Sequence, residues 1–289
     1  MKRLLIATGL ALACAGAGCG HSSTSPTALQ PPIQSVPVTP PAATLRTLHG
    51  YVRDTAFRPV GGARVEVMTG PDAGKEFSSD LQGEFSYVGT FPGTVSIRAA
   101  KEGYVTTTSS VYVSLTSDQT SIGFLLASVV PPVAAEGNYT LTIAVDSACS
   151  GFPNEARVRS YQAQLTKRTG ATIPANSLFG GSVSGAQFAP FSNIFFAGVA
   201  GDYLAISTEG EGPSIVEQIG PRTYISYLGE AGASIPAGSP TMISAPFNGT
   251  IEYCELKLGI SQYYDCSDSS AVFKAQCTSA NNRLTLTPR

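Results

Sequence analysis

The chain has 289 residues, 18 Lys and Arg against 20 Asp and Glu, 13% charged and 43% hydrophobic side chains, 30 Gly, 20 Pro and no Trp. Gly and Pro together exceed their ordinary share of about 12% but stay below the roughly 25–30% of a wholly disordered chain. Collagen, coiled coil and a highly charged tail are excluded, and the near-neutral balance leaves no positive field to hold nucleic-acid phosphates.

The amino terminus reads as an address. Met1-Lys2-Arg3 is a positive start, Leu4 to Ala13 an uncharged apolar run, and Ala15 to Gly18 a stretch of small residues before Cys19. This is the pattern of a bacterial secretory leader over residues 1–18. The apolar run, about ten residues, is too short to span a hydrocarbon core ~30 Å thick. A Cys directly after small residues resembles a lipobox, which implies acylation of Cys19 and attachment to a membrane through that lipid. The match lacks a Leu or Val three places before the Cys, and Cys14 is a rival acceptor. Ordinary leader cleavage beside an incidental Cys is the plain alternative. Residues 19–44 then form a tether: Pro26, Pro31, Pro32, Pro37, Pro40 and Pro41 stand among Ser, Thr and Ala without charge. Such a stretch favours extended polyproline II, at about 3.1 Å per residue.

From Leu45 short alternating runs recur between turn residues, an all-β signature. Strands are expected over 47–53, 63–68, 84–88, 94–99, 111–115 and 122–126. In this order G-Y-V-R-D (50–54), P-V-G-G-A-R-V-E-V (59–67), S-S-D-L-Q-G-E-F (78–85), G-T-V-S-I-R-A (93–99) and E-G-Y (102–104) carry a resemblance to the carboxypeptidase regulatory-like domain. The resemblance covers 45–128 and implies a transthyretin-like β-sandwich of about seven strands. It also implies grouping with carbohydrate-binding-like folds and an accessory role, without peptidase activity. His49 reads as a packed or surface residue. Asp80 with Gly83 falls short of the oxygen ligands that a calcium loop needs.

Residues 129–137 read as a linker, and 138–289 as a larger antiparallel module, either a barrel or a sandwich. Tyr139, Leu141, Ile143 and Val145 alternate with polar neighbours, as do Tyr161, Ala163 and Leu165. Further strands are expected over 183–188, 194–199, 203–208, 214–219, 222–228, 242–256 and 282–287, with no helix. The last strand is expected to pair near the first, as a sheet rolling up to remove its edges would require. Four cysteines lie here, and an even count in an exported chain reads as disulfides with three possible connectivities. Cys149 follows the first strand and Cys277 precedes the last, so 149–277 and 254–266 is the expected pairing.

Much chemistry is missing from the sequence. His21 and His49 are its two histidines, too few for a paired-His metal site, and no nucleophile elbow or phosphate loop accompanies them. No metal or cofactor is therefore expected. Glu209, Glu211, Glu217, Glu230, Glu252 and Glu255 leave a carboxylate-dependent hydrolase formally open. Binding is the stronger reading. Tyr224, Tyr227, Tyr253, Tyr263 and Tyr264 cluster in the second module, and a Tyr ring suits a sugar or a protein partner. Core packing is the plain alternative for them. The expectation is a non-catalytic cell-envelope lipoprotein, anchored in the outer membrane, that binds or scaffolds an envelope protein or a polysaccharide and not nucleic acid.

Overall fold

The computed structural model describes residues 45–91, 93–114, 119–170, 176–209, 215–236, 241–257, 266 and 270–289. The leader, Cys14, Cys19, the tether, Tyr263, Tyr264 and Glu211 lie outside the described residues. All of the described strands belong to one unit that runs to Arg289. The fold is all-β.

The amino-terminal part is a two-sheet sandwich. Its strands are β1 (Leu45–Asp54), β2 (Arg64–Val67), β3 (Glu76–Ser78), β4 (Glu84–Thr90), β5 (Thr94–Ala100), β6 (Thr107–Tyr112) and β7 (Gln119–Leu126). One sheet has the order β4-β1-β7, the other β3-β2-β5-β6. β1 pairs antiparallel with β4 and parallel with β7, so the final strand crosses over to lie beside the first. Alternation explains the inner face: Leu48 and Val52 of β1, four apart with Gly50 between them, and Val65 and Val67 of β2 and Val95, Ile97 and Ala99 of β5, at spacing two, are buried. Gly83 shows why a turn here demands glycine. Its φ is +77°, and an added Cβ would stand 2.4 Å from the Val52 carbonyl oxygen. β6 lies four residues earlier than the expected 111–115, and β3 carries too few apolar residues to be visible as a strand.

The carboxy-terminal part is a single large sheet. Its strands are β8 (Gly137–Ala144), β9 (Val158–Lys167), β10 (Leu178–Ser184), β11 (Phe188–Ala200), β12 (Tyr203–Ser207), β13 (Ile215–Gly220), β14 (Thr223–Ser234), β15 (Ile243–Pro246), β16 (Asn248–Leu256), β17 (Ala271–Cys277) and β18 (Arg283–Pro288). One short helical turn, α1 (Asn154–Arg157), precedes β9. The order is β15-β18-β8-β9-β10-β11-β12-β14-β16-β17, with β13 beside β11 and β14. The last strand does pair with the first, Thr285 opposite Thr142. The sheet curls because one stretch serves both of its ends. Residues 242–256, expected as one strand, break at the fully buried Phe247, whose amide donates to the Asn282 carbonyl at 2.7 Å. β15 before the break pairs with β18, while β16 after it pairs with β14 and β17. Inside the curl lie Leu141, Ile143, Leu165, Phe179, Phe195, Ile225, Ile251 and Leu284. Outside it, Ala189, Val216, Tyr224, Cys254, Leu256 and Cys266 form a second, smaller cluster.

The two parts meet at the turn after β1. The Asp54 carboxylate is buried; Oδ1 accepts from the amides of Ala56 and Arg58, and Oδ2 from Arg58 Nε at 2.8 Å. This clamp shapes the turn. The Thr55 hydroxyl then donates to the Val199 carbonyl on β11 at 2.5 Å. The turn rests on Gly198, where a Cβ would stand 2.0 Å from the Thr55 carbonyl oxygen and 3.1 Å from Ala56 Cα. The Arg58 guanidinium covers the Tyr203 ring at 4.3 Å. Val133, in the stretch expected as a linker, donates its amide to the Gly201 carbonyl at 2.9 Å.

Candidate functional site

The structure brings Cys149 to Cys277 and Cys254 to Cys266 at bonding distance, S–S 2.06 and 2.18 Å. The first bridge joins the segment after β8 to the end of β17. The second fastens residue 266 against β16, on the outer face of the curled sheet.

Among the described residues, the candidate tyrosines Tyr224, Tyr227 and Tyr253 do not share a surface. Tyr224 and Tyr227 stand three apart on β14 and so point to opposite faces. Tyr227 faces the interior with no exposure, and Tyr224 is buried in the outer cluster. Tyr253 is half-buried, packs on the interior core and lies 6.3 Å from the Phe152 ring. Of the binding candidates, Tyr224 and Tyr227 thus follow the core-packing alternative, both rings being buried by cross-strand neighbours.

What the interior gathers instead is a polar cluster. Arg159 and Tyr161 alternate inward on β9, Glu217 projects from β13, and Tyr227 from β14. The Arg159 guanidinium grips the Glu217 carboxylate with two nitrogens, Nε to Oε2 at 2.7 Å and Nη2 to Oε1. The Tyr161 hydroxyl lies 2.8 Å from Glu217 Oε2 and 3.1 Å from the Tyr227 hydroxyl. β9 and β13 are not neighbours, so this pair spans the hollow of the curl. Burial pushes the Tyr161 hydroxyl far above its ordinary value, reinforced by Tyr227 and the Glu217 charge. Burial does the same to Tyr227, opposed by its hydrogen bond with Tyr161. The hydrogen bond with Glu217 raises Arg159, against the cost of burial. Burial makes both phenols hold their protons tightly, the Glu217 carboxylate is gripped by Arg159, and the cluster reads as a packed strut. Sequence periodicity places Tyr161 inward but gives no sign that Glu217 would be its partner.

The other carboxylates disperse. Glu255 pairs with Lys274 at 3.0 Å and Arg222 at 3.3 Å, which hold its carboxyl below the ordinary range. Glu252 is buried on the outer face, directly opposite Ser226. Glu230 sits across the seam from the sandwich. Burial raises its carboxyl, Arg53 of β1 pulls it down, Glu209 raises it, and a hydrogen bond from Ser207 lowers it. Among the described residues no group of three or more His, Cys, Asp or Glu side chains could hold a metal ion. In the same residues no helix is long and apolar enough to cross a membrane.

Two depressions accompany the sandwich and its junction. One of about 390 Å³ is bounded by His49, Ser79, Asp80 and Glu84, with the Asp80 carboxylate already accepting from the amides of Gln82 and Glu84. The other, about 190 Å³, lies between Pro132, Glu136, Lys167 and Phe179. Phe191 was not singled out by its sequence context. It is 87% exposed, with φ +61°, at an irregularity in the pairing of β11 with β13.

Among solved structures the chain is similar to a streptococcal ancillary pilin, at 12% identity over 68% of this chain and 60% of that one, TM-score 0.23. It is similar to the Bacillus anthracis TIE protein at 12% identity, over 80% and 48% of the two chains, TM-score 0.26. It is similar to BcpA, the major pilin subunit of Bacillus cereus, at 9% identity, over 85% and 96%, TM-score 0.27. The chain thus spans 60% of the first of these proteins and about half of the second. Superpositions this loose carry no argument about function. No curated protein matches the chain. Residues 47–125, which span the sandwich, match the family model of the carboxypeptidase regulatory-like domain, while the curled sheet lies beyond the match.

Proposed function

We propose that this chain is a non-catalytic binding or scaffold component of the bacterial cell envelope, exported and held at a membrane by a lipid on Cys19. The observation that carries the reading is the seam. A buried hydroxyl, a glycine contact that tolerates no side chain and an arginine–tyrosine stack join the regulatory-like sandwich to the curled sheet. Such a joint suits an accessory module that presents a second one at a fixed angle. Its interior polar groups are turned upon one another, which leaves the outer faces as the working surface. Two disulfides support an oxidising compartment, and the leader and Pro-rich tether support export and reach.

The test is expression of the full chain in a bacterial host, followed by membrane fractionation and mass spectrometry of the mature amino-terminal peptide. A diacylated Cys19, and release of the Cys19→Ser variant from the membrane, are expected. An unmodified amino terminus would reject the anchor. Turnover of envelope polymers by the purified chain, abolished in Glu230→Gln, would reject the non-catalytic part.

A further inference from the structure

The outer face of β15, β18, β8, β9 and β10 arranges uncharged polar side chains in register. One row runs Ser244, Thr285, Thr142, Ser160, each directly opposite the next across four strands. The row beside it runs Thr287, Thr140, Gln162, Ser184. All eight are exposed or half-buried, because the residues that alternate with them fill the interior. Hydroxyls bond along the first row, Ser244 to Thr285 at 3.2 Å and Thr142 to Ser160 at 2.8 Å. A depression of about 250 Å³ lies over the second, bounded by Thr140, Ser160, Gln162, Ser184 and Gly185, with Arg289 at its rim. At the opposite margin Arg283 reaches Ser244 at 3.4 Å.

This chemistry selects its partner by what it lacks. A face for an anionic polymer would carry lysines and arginines across its middle to release counterions. A protein-docking face would centre on an aromatic or arginine anchor in a desolvated pocket. A lipid-facing sheet would be apolar. Here every group within the rows is a hydroxyl or a carboxamide, able both to donate and to accept. Strands about 4.8 Å apart repeat that capacity at a regular interval. The complementary ligand repeats neutral hydroxyls in the same way. We infer that this face binds a neutral polysaccharide, by many weak contacts that act together along the polymer. The inference rests on the binding-module reading and gives it a ligand class and a place.

The experiment is affinity electrophoresis of the oxidised full chain in native gels cast with dextran, hydroxyethylcellulose or galactomannan, with alginate as the charged control. The chain is expected to be retarded by at least one neutral polymer and not by alginate. The variant Thr140→Val/Thr142→Val/Gln162→Leu keeps strand-forming side chains while it removes the polar groups. It is expected to lose at least nine-tenths of the retardation at an unchanged melting temperature. The conservative Thr142→Ser should retain it. Were the triple variant to unfold, Thr140→Ala and Gln162→Ala separately, each checked by circular dichroism, would have to show the loss. No retardation by any neutral polymer overturns the inference and leaves the lipid-anchor result standing. Retardation that survives the triple variant and falls in Tyr253→Ala also overturns it, moving the site to the tyrosines.

Discussion

The sandwich and the curled sheet begin from the same alternating sequence pattern and solve the same problem differently. In the sandwich two small sheets face each other, and the core between them is made from apolar side chains such as Val52, Val65, Ile97 and Phe124. No cysteine lies in it. Among the described residues the larger part forms one sheet, which bends until it covers itself. That bend leaves a hollow which apolar residues do not fill alone, and Arg159, Glu217, Tyr161 and Tyr227 span it. Disulfides then fix the segments that the curl would otherwise leave free. Facing sheets need only complementary surfaces, whereas a curled sheet needs its ends and its hollow fixed.

The sharpest way to break this contrast is to remove the staple. Cys149→Ser/Cys277→Ser opens a link across 128 residues of sequence separation. In the chain-entropy account this costs about 5 kcal/mol, and about 3 kcal/mol for the 254–266 bridge. Hydrogen exchange should show β8, β17 and β18 losing protection first while β1, β2 and β5 keep theirs. Simultaneous loss in both parts would mean that the seam makes them one cooperative unit. The strut is next. Arg159→Met leaves Glu217 buried and unpaired and is expected to cost about 3–5 kcal/mol by urea unfolding. Adding Glu217→Leu should recover most of that loss. A double variant as unstable as the single one would show that the cluster does more than fill space.

Gly198→Val probes the seam, since its side chain meets the backbone of Thr55 and Ala56. The expected result is separation of the modules, seen as a larger radius in small-angle scattering with both cores still folded. Alkaline titration discriminates the two interiors again. Tyr161 and Tyr227 have folded-state values raised above the ordinary 10. Their contribution is therefore complete below about pH 10 and is lost as pH rises further. Unfolding free energy should fall above that pH, and Tyr161→Phe/Tyr227→Phe should flatten the fall. The smallest effect is expected at Phe191, where a bulky residue holds a left-handed backbone. Phe191→Gly should stabilise the chain by about 1 kcal/mol in thermal unfolding.

Much of the architecture is legible in residue spacing, and its failures have local reasons. Val65-Glu66-Val67 and Leu141-Thr142-Ile143 show strands because one side of each faces a core. The cysteine pairing follows from placing the first and last strands of the curled sheet together. Strand β17 escapes notice because Ala271 to Gln276 is mostly exposed and its apolar residues do not alternate. The break at Phe247 is equally hidden, since an aromatic inside an apolar run reads as more strand. Tyr224 and Tyr227 are ambiguous in sequence for a physical reason: a ring with a hydroxyl suits an exposed platform and a buried network equally, and only the neighbours decide. The hydroxyl rows are invisible in the chain because Ser244, Thr285, Thr142 and Ser160 come from four strands.

By itself the sequence determined that this chain makes sheets, where the segment similar to a regulatory-like domain lies and which sulfurs can meet, since alternation, turn residues and the order of strands are local or nearly local properties. Only the tertiary structure decided that the larger sheet curls through a break at Phe247, that Glu217 is spent on Arg159 and Tyr161, and that a carbonyl of β11 receives Thr55. Each of those depends on which side chains from distant strands come face to face, and that is settled when the whole sheet closes on its core.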